Sequence, residues 1–242
     1  MDTPIAAFFD VDGTLTKTTI LDPLIWYQRA CLSRPRFALW AAGLLLQAPY
    51  YLWIDQRSRA HFNVVFYRRY AGLNTNDLRD WHHRTFADNL QPRFFPAAVD
   101  CLRDHQRQGH RVIFVTGGLD FVMWPLAEFL RVNDLMATQL VERDGVFTGE
   151  LTGLPIADRY KAALVRTYAE QHGIDLAQSF AYGNSFGDTP MLECVGHAVA
   201  VNPGRRLRCV AKLRHWPTLD WLNESRREPC RVGRWVPHPE YR

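Results

Sequence analysis

What this chain lacks narrows its chemistry first. Its five cysteines, Cys31, Cys101, Cys194, Cys209 and Cys230, are odd in number, scattered and free of CxxC spacing. Neither a disulfide framework nor a zinc site is expected, and a reducing, cytoplasmic setting fits best. The opening residues, MDTPIAAFFDVDG, lack the basic, apolar, small-residue succession of a signal peptide and run straight into a strand-like segment, so a cleaved leader is not expected. His61, His82, His83, His105, His110 and His172 form no HxH or HExxH set, which leaves them surface or core roles. No internal repeat or low-complexity tract is present.

What is present describes a globular protein. The chain has 242 residues, 47% apolar and 22% charged, long enough for a catalytic core with one insert or small second domain. Net charge is +4, unevenly placed. From Pro203 onward ten Lys/Arg face four Asp/Glu, a net +6 that leaves the rest at −2. Such a tail suits anionic partners, lipid headgroups among them, or is simply a solvated helix and a loose terminus. Nucleic acid is not an expected partner, and nothing fixes an oligomeric state.

Order along the chain suggests an α/β protein with a doubly wound, Rossmann-like parallel sheet. Ile5 to Phe9, RVIFVTGG at 111–118, SFAYGN at 179–184 and HAVAVN at 197–202 are apolar runs ending in Gly and small polar residues. Helical patterns fall at roughly 97–109, 119–131, 158–172 and 187–194. Alternation of this kind implies a parallel sheet covered on both faces, with its ligand site at the carboxyl ends of the strands. The alternation stops between Leu21 and about Gln91, where aromatic residues, Leu and Arg recur at helical spacing, with one strand-like stretch at 62–67. The expected division is a core of 1–20 and 92–215, a helical cap of 21–91 inserted after the first strand, and a basic tail of 216–242. VERDGVFTGEL at 141–151 reads as a hairpin about its Asp-Gly.

The most informative segment is FFDVDGTLT at 8–16, where two carboxylates two residues apart leave a strand end and enter a Gly-Thr turn. Asp10 is placed to act as a nucleophile on phosphorus and Asp12 to protonate a leaving oxygen and then deprotonate water. Thr116, with Gly117 and Gly118, could offer a hydroxyl and backbone N–H groups to phosphate oxygens. Lys161, in DRYK, sits in a first helical turn behind Asp158, where a cation opposes the helix dipole and so needs another reason to be there. Neutralising a nucleophile and a transferring phosphate is such a reason, and Arg159 is the competing cation. GNSFGD at 183–188 supplies Asn184 and Asp188. Each motif alone also describes an ordinary turn or loop. Four in this order at strand ends are hard to reconcile with coincidence.

These motifs resemble the DxDGT, Thr, Lys and acidic motifs of the haloacid dehalogenase superfamily, over positions 8 to 192. The resemblance implies a Mg²⁺-dependent phosphohydrolase forming an aspartyl-phosphate on Asp10. Members that attack carbon or cleave phosphonates lack an acid where Asp12 stands, so phosphate ester hydrolysis is expected. It further implies a metal set of Asp10, the backbone carbonyl of Asp12, Asn184 and Asp188. Asn184 occupies a place where Asp is commoner, which removes one negative charge and predicts weaker metal affinity.

A long insert after the first motif, with the hairpin before the lysine, resembles subfamily IB, the phosphoserine-phosphatase-like branch. That enzyme carries Glu nine residues beyond its nucleophile, where this chain has Thr19, so phosphoserine itself is disfavoured. Phe37 to Ile54 runs eighteen residues without a charge. A buried pair of cap helices broken at Pro49 is the leading expectation. A lid for an amphiphilic phosphate, or a membrane-surface anchor flanked by Arg34, Arg36, Arg57 and Arg59, is the competing one. Trp40, Leu44, Leu45, Tyr50, Tyr51 and Trp53 supply more apolar surface than a small cap needs, so some of it is expected to face substrate. Three readings stand: a cytoplasmic phosphomonoesterase for a small phosphorylated metabolite, a phosphatase for a lipid or amphiphilic phosphate peripheral to a membrane, and a non-catalytic phosphate-binding module.

Overall fold

A computed structural model of the chain describes residues 3–223. Its centre is the expected sheet. The apolar tetrad Ala6–Phe9 forms β1, all four side chains buried, and successive side chains of a strand leave opposite faces. Ala7 and Phe9 therefore enter one core cluster, and Ala6 and Phe8 the other. The remaining sheet strands are β2 (Arg111–Leu119), β3 (Asp134–Thr138), β6 (Phe180–Gly183), β7 (His197–Val201) and β8 (Thr218–Leu219), with the β4 (Leu140–Arg143) and β5 (Val146–Leu151) hairpin separate. Spatial order is β3-β2-β1-β6-β7-β8, every pairing parallel.

Helices α8 (Arg159–His172), α9 (Thr189–Leu192) and α10 (Arg205–Leu213) cover one face through Val165, Met191 and Leu207. Helices α6 (Pro96–Arg107) and α7 (Asp120–Phe129) cover the other through Leu102 and Leu126. That second cluster continues without a break into the insert. There α1 (Asp22–Cys31), α2 (Arg34–Arg57), α3 (Arg59–Tyr67), α4 (Thr75–Arg84) and the short α5 (Phe86–Asn89) assemble beside the hairpin. Gly72 N–H donates to Phe147 O at 2.8 Å and Phe147 N–H to Leu73 O at 3.0 Å, tying the hairpin to the insert. Asp144 (φ 51) and Gly145 (φ 75) take the left-handed conformation that a tight hairpin turn requires.

Four readings need correction. The stretch 62–67 is helix, because Phe62, Asn63, Phe66 and Tyr67 are buried at helical spacing and packing overrides the β propensity of FNVVFY. Residues 37–54 are not a buried pair broken at Pro49. They lie in one helix, α2, in which only Tyr51 and Ile54 are buried. Pro49 is exposed, so the carbonyl it leaves unpaired can meet water, which makes a proline inside a helix tolerable. β3 was missed because DLMAT carries no turn punctuation before the hairpin. Finally, 216–223 is not loose: β8 adds a strand, and Trp221 is buried with its N–H donating to Asn202 Oδ1 at 2.7 Å. The rest of the basic tail lies outside the described residues.

Candidate active site

Asp10 directly follows β1, and its N–H donates to Tyr182 O at 2.9 Å, so the nucleophile candidate is held by the last rung of the ladder. The turn after it needs Gly13 (φ +81), where a Cβ would lie 2.0 Å from Asn184 Nδ2. Thr14, in the same turn, donates to Asp10 Oδ2 at 3.0 Å. Lys161, buried in the first turn of α8, donates from Nζ to Asp10 Oδ1 and to Asp188 Oδ1, each at 2.6 Å. Asp188 Oδ2 accepts from the N–H groups of Asn184 and Ser185 and from Ser185 Oγ at 2.7 Å. One buried cation thus bridges two buried carboxylates from opposite ends of the chain.

Electrostatics follow from that geometry. Burial pushes Asp10 up to about 6 against the pull of Lys161, and neighbouring Asp188 and Asp12 add to the rise. Burial acts on Asp188 as well, but Lys161 and the Ser185 donors outweigh it and hold that carboxyl below its ordinary value. Lys161 is stripped of water, yet its two carboxylates hold its proton above the usual lysine range. Asp12 is raised by burial, partly offset by Thr18, which donates to its Oδ1 at 2.6 Å. Its Oδ2 is buried with no partner among the described residues.

Gly117 and Gly118 lie within β2 and precede the next helix. They form a bulge in β2, where the register against β3 shifts between Thr116 and Leu119, and α7 begins only at Asp120. Gly118 N–H is taken by Thr116 Oγ1 at 3.0 Å, leaving the hydroxyl proton of Thr116 available for an oxygen outside the loop. A Cβ on Gly118 would meet the Met123 Cε tip at 2.3 Å and Asp12 Oδ2 at 3.3 Å, so glycine lets the carboxylate lie close over the bulge without displacing either.

These elements enclose a cavity of about 30 Å³. Its walls include Asp10, Asp12, Lys161, Asn184 and Asp188, all named from sequence, and Gly117. Several further wall residues were not foreseen in that role, and three of them come from the segment after motif one and the cap. Arg59, taken as a flank of the apolar stretch, and Asn63 reach it from α3, and Ile20 from the loop after motif one. Arg59 and Asn63 are i and i+4 on a helix otherwise rich in buried aromatics, a pattern that marks one polar face on an apolar element. Arg59 pairs with Asp55 at 2.7 Å and keeps its proton because Asp55, and more remotely Asp188 and Asp10, outweigh its burial. None of residues 37–54 lines the cavity.

Asp158 was expected to cap α8. It stands at that position with φ 50, but its side chain makes no cap bond there. Instead Oδ2 accepts from Ala60 N–H at 3.1 Å, across 98 residues, beside the Ser58 hydroxyl that accepts from His61 N–H. The same residue that precedes Lys161 thereby caps the cap helix carrying Arg59. Tyr67 adds a second tie, its hydroxyl donating to Gly117 O at 2.6 Å. Arg159, the competing cation, is not among the cavity residues and stacks near Tyr160.

The fold and this cluster of three carboxylates and a buried lysine at the sheet's carboxyl edge define an α/β protein whose site suits phosphate chemistry. The model of haloacid dehalogenase-like hydrolases matches residues 7–193. A Mycobacterium tuberculosis protein described as a probable phosphatase is 33% identical over 89% of this chain and 75% of its own. A phosphoserine phosphatase of the same organism is 29% identical over 96% of this chain and 75% of its own. A solved structure from Bordetella pertussis Tohama I, of a protein of unknown function, superposes with a TM-score of 0.76 at 28% identity, over 91% of this chain and all of that one. The chain belongs to the haloacid dehalogenase-like hydrolase family, and it is a phosphatase.

Removing one partner from a buried ion cluster leaves charge uncompensated, typically at a cost of about 3–5 kcal/mol. Lys161→Met should therefore lower the unfolding free energy by about that much at pH 7 in EDTA. Without the cation, Asp10 rises further above its unfolded value and Asp188 loses the main partner that holds it below, so the variant's folded state gains protons at a higher pH than the wild type's and the deficit should shrink as pH falls toward 5. Urea melts at pH 7 and pH 5 test this, and an equal deficit at both would contradict the electrostatic account of the cluster.

Proposed function

We propose that this chain is a phosphomonoesterase that works through an aspartyl-phosphate on Asp10 and acts on a small phosphorylated metabolite. The observation carrying the reading is the orphaned, buried Oδ2 of Asp12 beside the Lys161-held carboxylate of Asp10. Asp12 is raised by burial, so it holds a proton more readily than a surface carboxyl. Thr18 occupies its other oxygen, leaving Oδ2 as the atom to protonate the leaving oxygen and then to take a proton from water. Asp10 Oδ1 is occupied by Lys161, and Thr14 orients Oδ2, which favours Oδ2 as the attacking atom. Lys161 compensates charge building on the transferring group, and the hydroxyl proton of Thr116 is the donor this loop leaves for a phosphate oxygen, since Gly118 N–H is already given to Thr116 Oγ1.

The donor chemistry also fits Mg²⁺. Asp10, Asn184 and Asp188 offer only hard oxygen donors around one cavity, with the backbone of Asp12 beside them. Among the described residues no three His, Cys, Asp or Glu side chains form a ligand group, so an amide and a carbonyl would have to complete the set. The ion, when bound, would neutralise charge on phosphate oxygens. Asp188, with Oδ2 taking three donors, serves mainly to fix Asn184 and Lys161.

Arg59 and Asn63 bring polar groups of the cap to the cavity, beside Ile20 and Ile156 of the core, which supports a short polar leaving group bearing its own negative charge. An acyl tail has no wall to lie on, since the apolar stretch 37–54 stays outside. A panel of phosphometabolites, phosphoserine included because a relative bears that name, should show turnover of short anionic phosphoesters above lysophospholipids. Asp10→Asn should abolish turnover with the fold intact by circular dichroism. Near wild-type activity in the folded variant would refute the mechanism. Restoring an acid with Asn184→Asp should lower the Mg²⁺ concentration for half-maximal activity severalfold, and an unchanged or raised requirement would take Asn184 out of the metal set.

A further inference from the structure

Helix α2 has an outer face that nothing in the molecule covers. Leu39 is 77% exposed, Leu45 74%, Leu46 83%, Leu52 61%, Trp53 53% and Tyr50 51%. Leu39, Ala42, Leu46, Pro49 and Trp53 repeat at three- and four-residue steps, a stripe along one side of the helix. The opposite side is anchored: Tyr51 and Ile54 are buried, and Tyr51 packs edge-on against Phe62 and Phe66 of α3. The helix is long and apolar enough to cross a membrane, with a mean hydropathy of 1.3. The burial of Tyr51 and Ile54 ties its C-terminal end to the cap.

Charge distinguishes what would cover the stripe. From Phe37 to Ile54 no side chain carries a charge. The one long polar side chain there, Gln47, has its Oε1 already engaged by Tyr51 Oη and Arg69 Nη2. Exposed Arg34 and Arg36 stand at one end of the stripe and exposed Arg57 at the other, its guanidinium 3.9 Å above the Trp53 ring. Arg206 of α10 donates to Gln56 O at 3.1 Å, joining the exposed basic residues Arg205, Arg208 and Lys212 to the same end. An antiparallel pairing of α2 with a second copy would set these like charges against each other, since the neighbouring acid Asp55 is held by Arg59. Anionic headgroups would neutralise them. An apolar stripe with aromatic residues near one end and arginines at both is what an interfacial helix presents to acyl chains below and headgroups around it.

We propose that α2 docks this protein flat on an anionic lipid surface, with Leu39, Leu46, Tyr50 and Trp53 entering the acyl boundary and Arg34, Arg36 and Arg57 meeting headgroups. The docking belongs to the cap's outer side and does not rest on the reaction assigned above. Full-length protein should float with phosphatidylcholine vesicles containing phosphatidylglycerol, float far less with phosphatidylcholine alone, and be released by high salt. Leu39→Gln, Leu46→Gln and Trp53→Gln together remove three apolar anchors and should weaken partitioning by about a hundredfold or more, while p-nitrophenyl phosphate turnover is unchanged. Arg34→Gln, Arg36→Gln and Arg57→Gln together should erase the preference for anionic vesicles, and this variant decides the matter if the first fails to fold. Wild-type protein that stays out of anionic vesicles, or either set of substitutions binding them as wild type does, would overturn the proposal. So would a dimer in vesicle-free solution that the apolar substitutions dissolve, which would assign the stripe to a second copy.

Discussion

The fold's chemistry turns on a single ammonium group. Lys161 holds Asp10 and Asp188 at 2.6 Å each, with all three side chains almost wholly out of water. Taking such charges from solvent costs more than it returns in stability, so a cluster like this is weak evidence of a stabilising device. Its sense is positional. The nucleophile candidate comes from the end of β1, the second acid from the turn after β6, and the cation from the first turn of α8. A parallel sheet that sets the ends of β1 and β6 side by side, with the start of α8 against them, brings the three together, and each partner then limits where the others can point.

From that cluster the influence spreads into the cap. Asp158, three residues before Lys161, takes a positive φ of 50 with ψ −132, outside the left-handed helical region, and lends its carboxylate to Ala60 rather than to its own helix. Strain of this kind persists only where surroundings fix it, and it gathers at functional joints. Helix α3, so capped, presents Arg59 and Asn63 to the cavity, while its other side, through Phe62 and Phe66, seats Tyr51 of α2. The outermost helix is thus one layer removed from the residues that face the leaving group. Anything that settles on α2 acts on the cap, not on the carboxylates.

Much of this was readable from the sequence because strand ends carry punctuation. FFDVDGT, VTGG, AYGNS and AVN each close an apolar run with small or acidic residues, so the four central strands and Asp10, Asp12, Lys161, Asn184 and Asp188 could be placed without coordinates. What escaped had no local signal. The β-branched and aromatic run at 62–67 favours strand by propensity, and only packing against α2 and the hairpin makes it helix. Pro49 marks a break by rule, but on an exposed face its missing bond costs little. Arg59 looked like a charge beside a greasy segment because its distance from Asp10 in space is set by the cap's folding, and Asp158 looked like an ordinary cap because its partner lies 98 residues away.

The most direct measurement is the covalent adduct itself. Wild-type enzyme mixed with a turned-over phosphoester and Mg²⁺, then quenched in acid within the first turnover, should carry one phosphoryl group. Borohydride reduction, which expels the phosphate and converts the acyl phosphate to an alcohol, should leave homoserine in place of Asp10 in peptide mass spectrometry. A phosphoryl group on any other residue, or rapid turnover with Asp10 unmodified at every quench time while Asp12→Asn fails to accumulate an adduct, would contradict nucleophilic attack by Asp10.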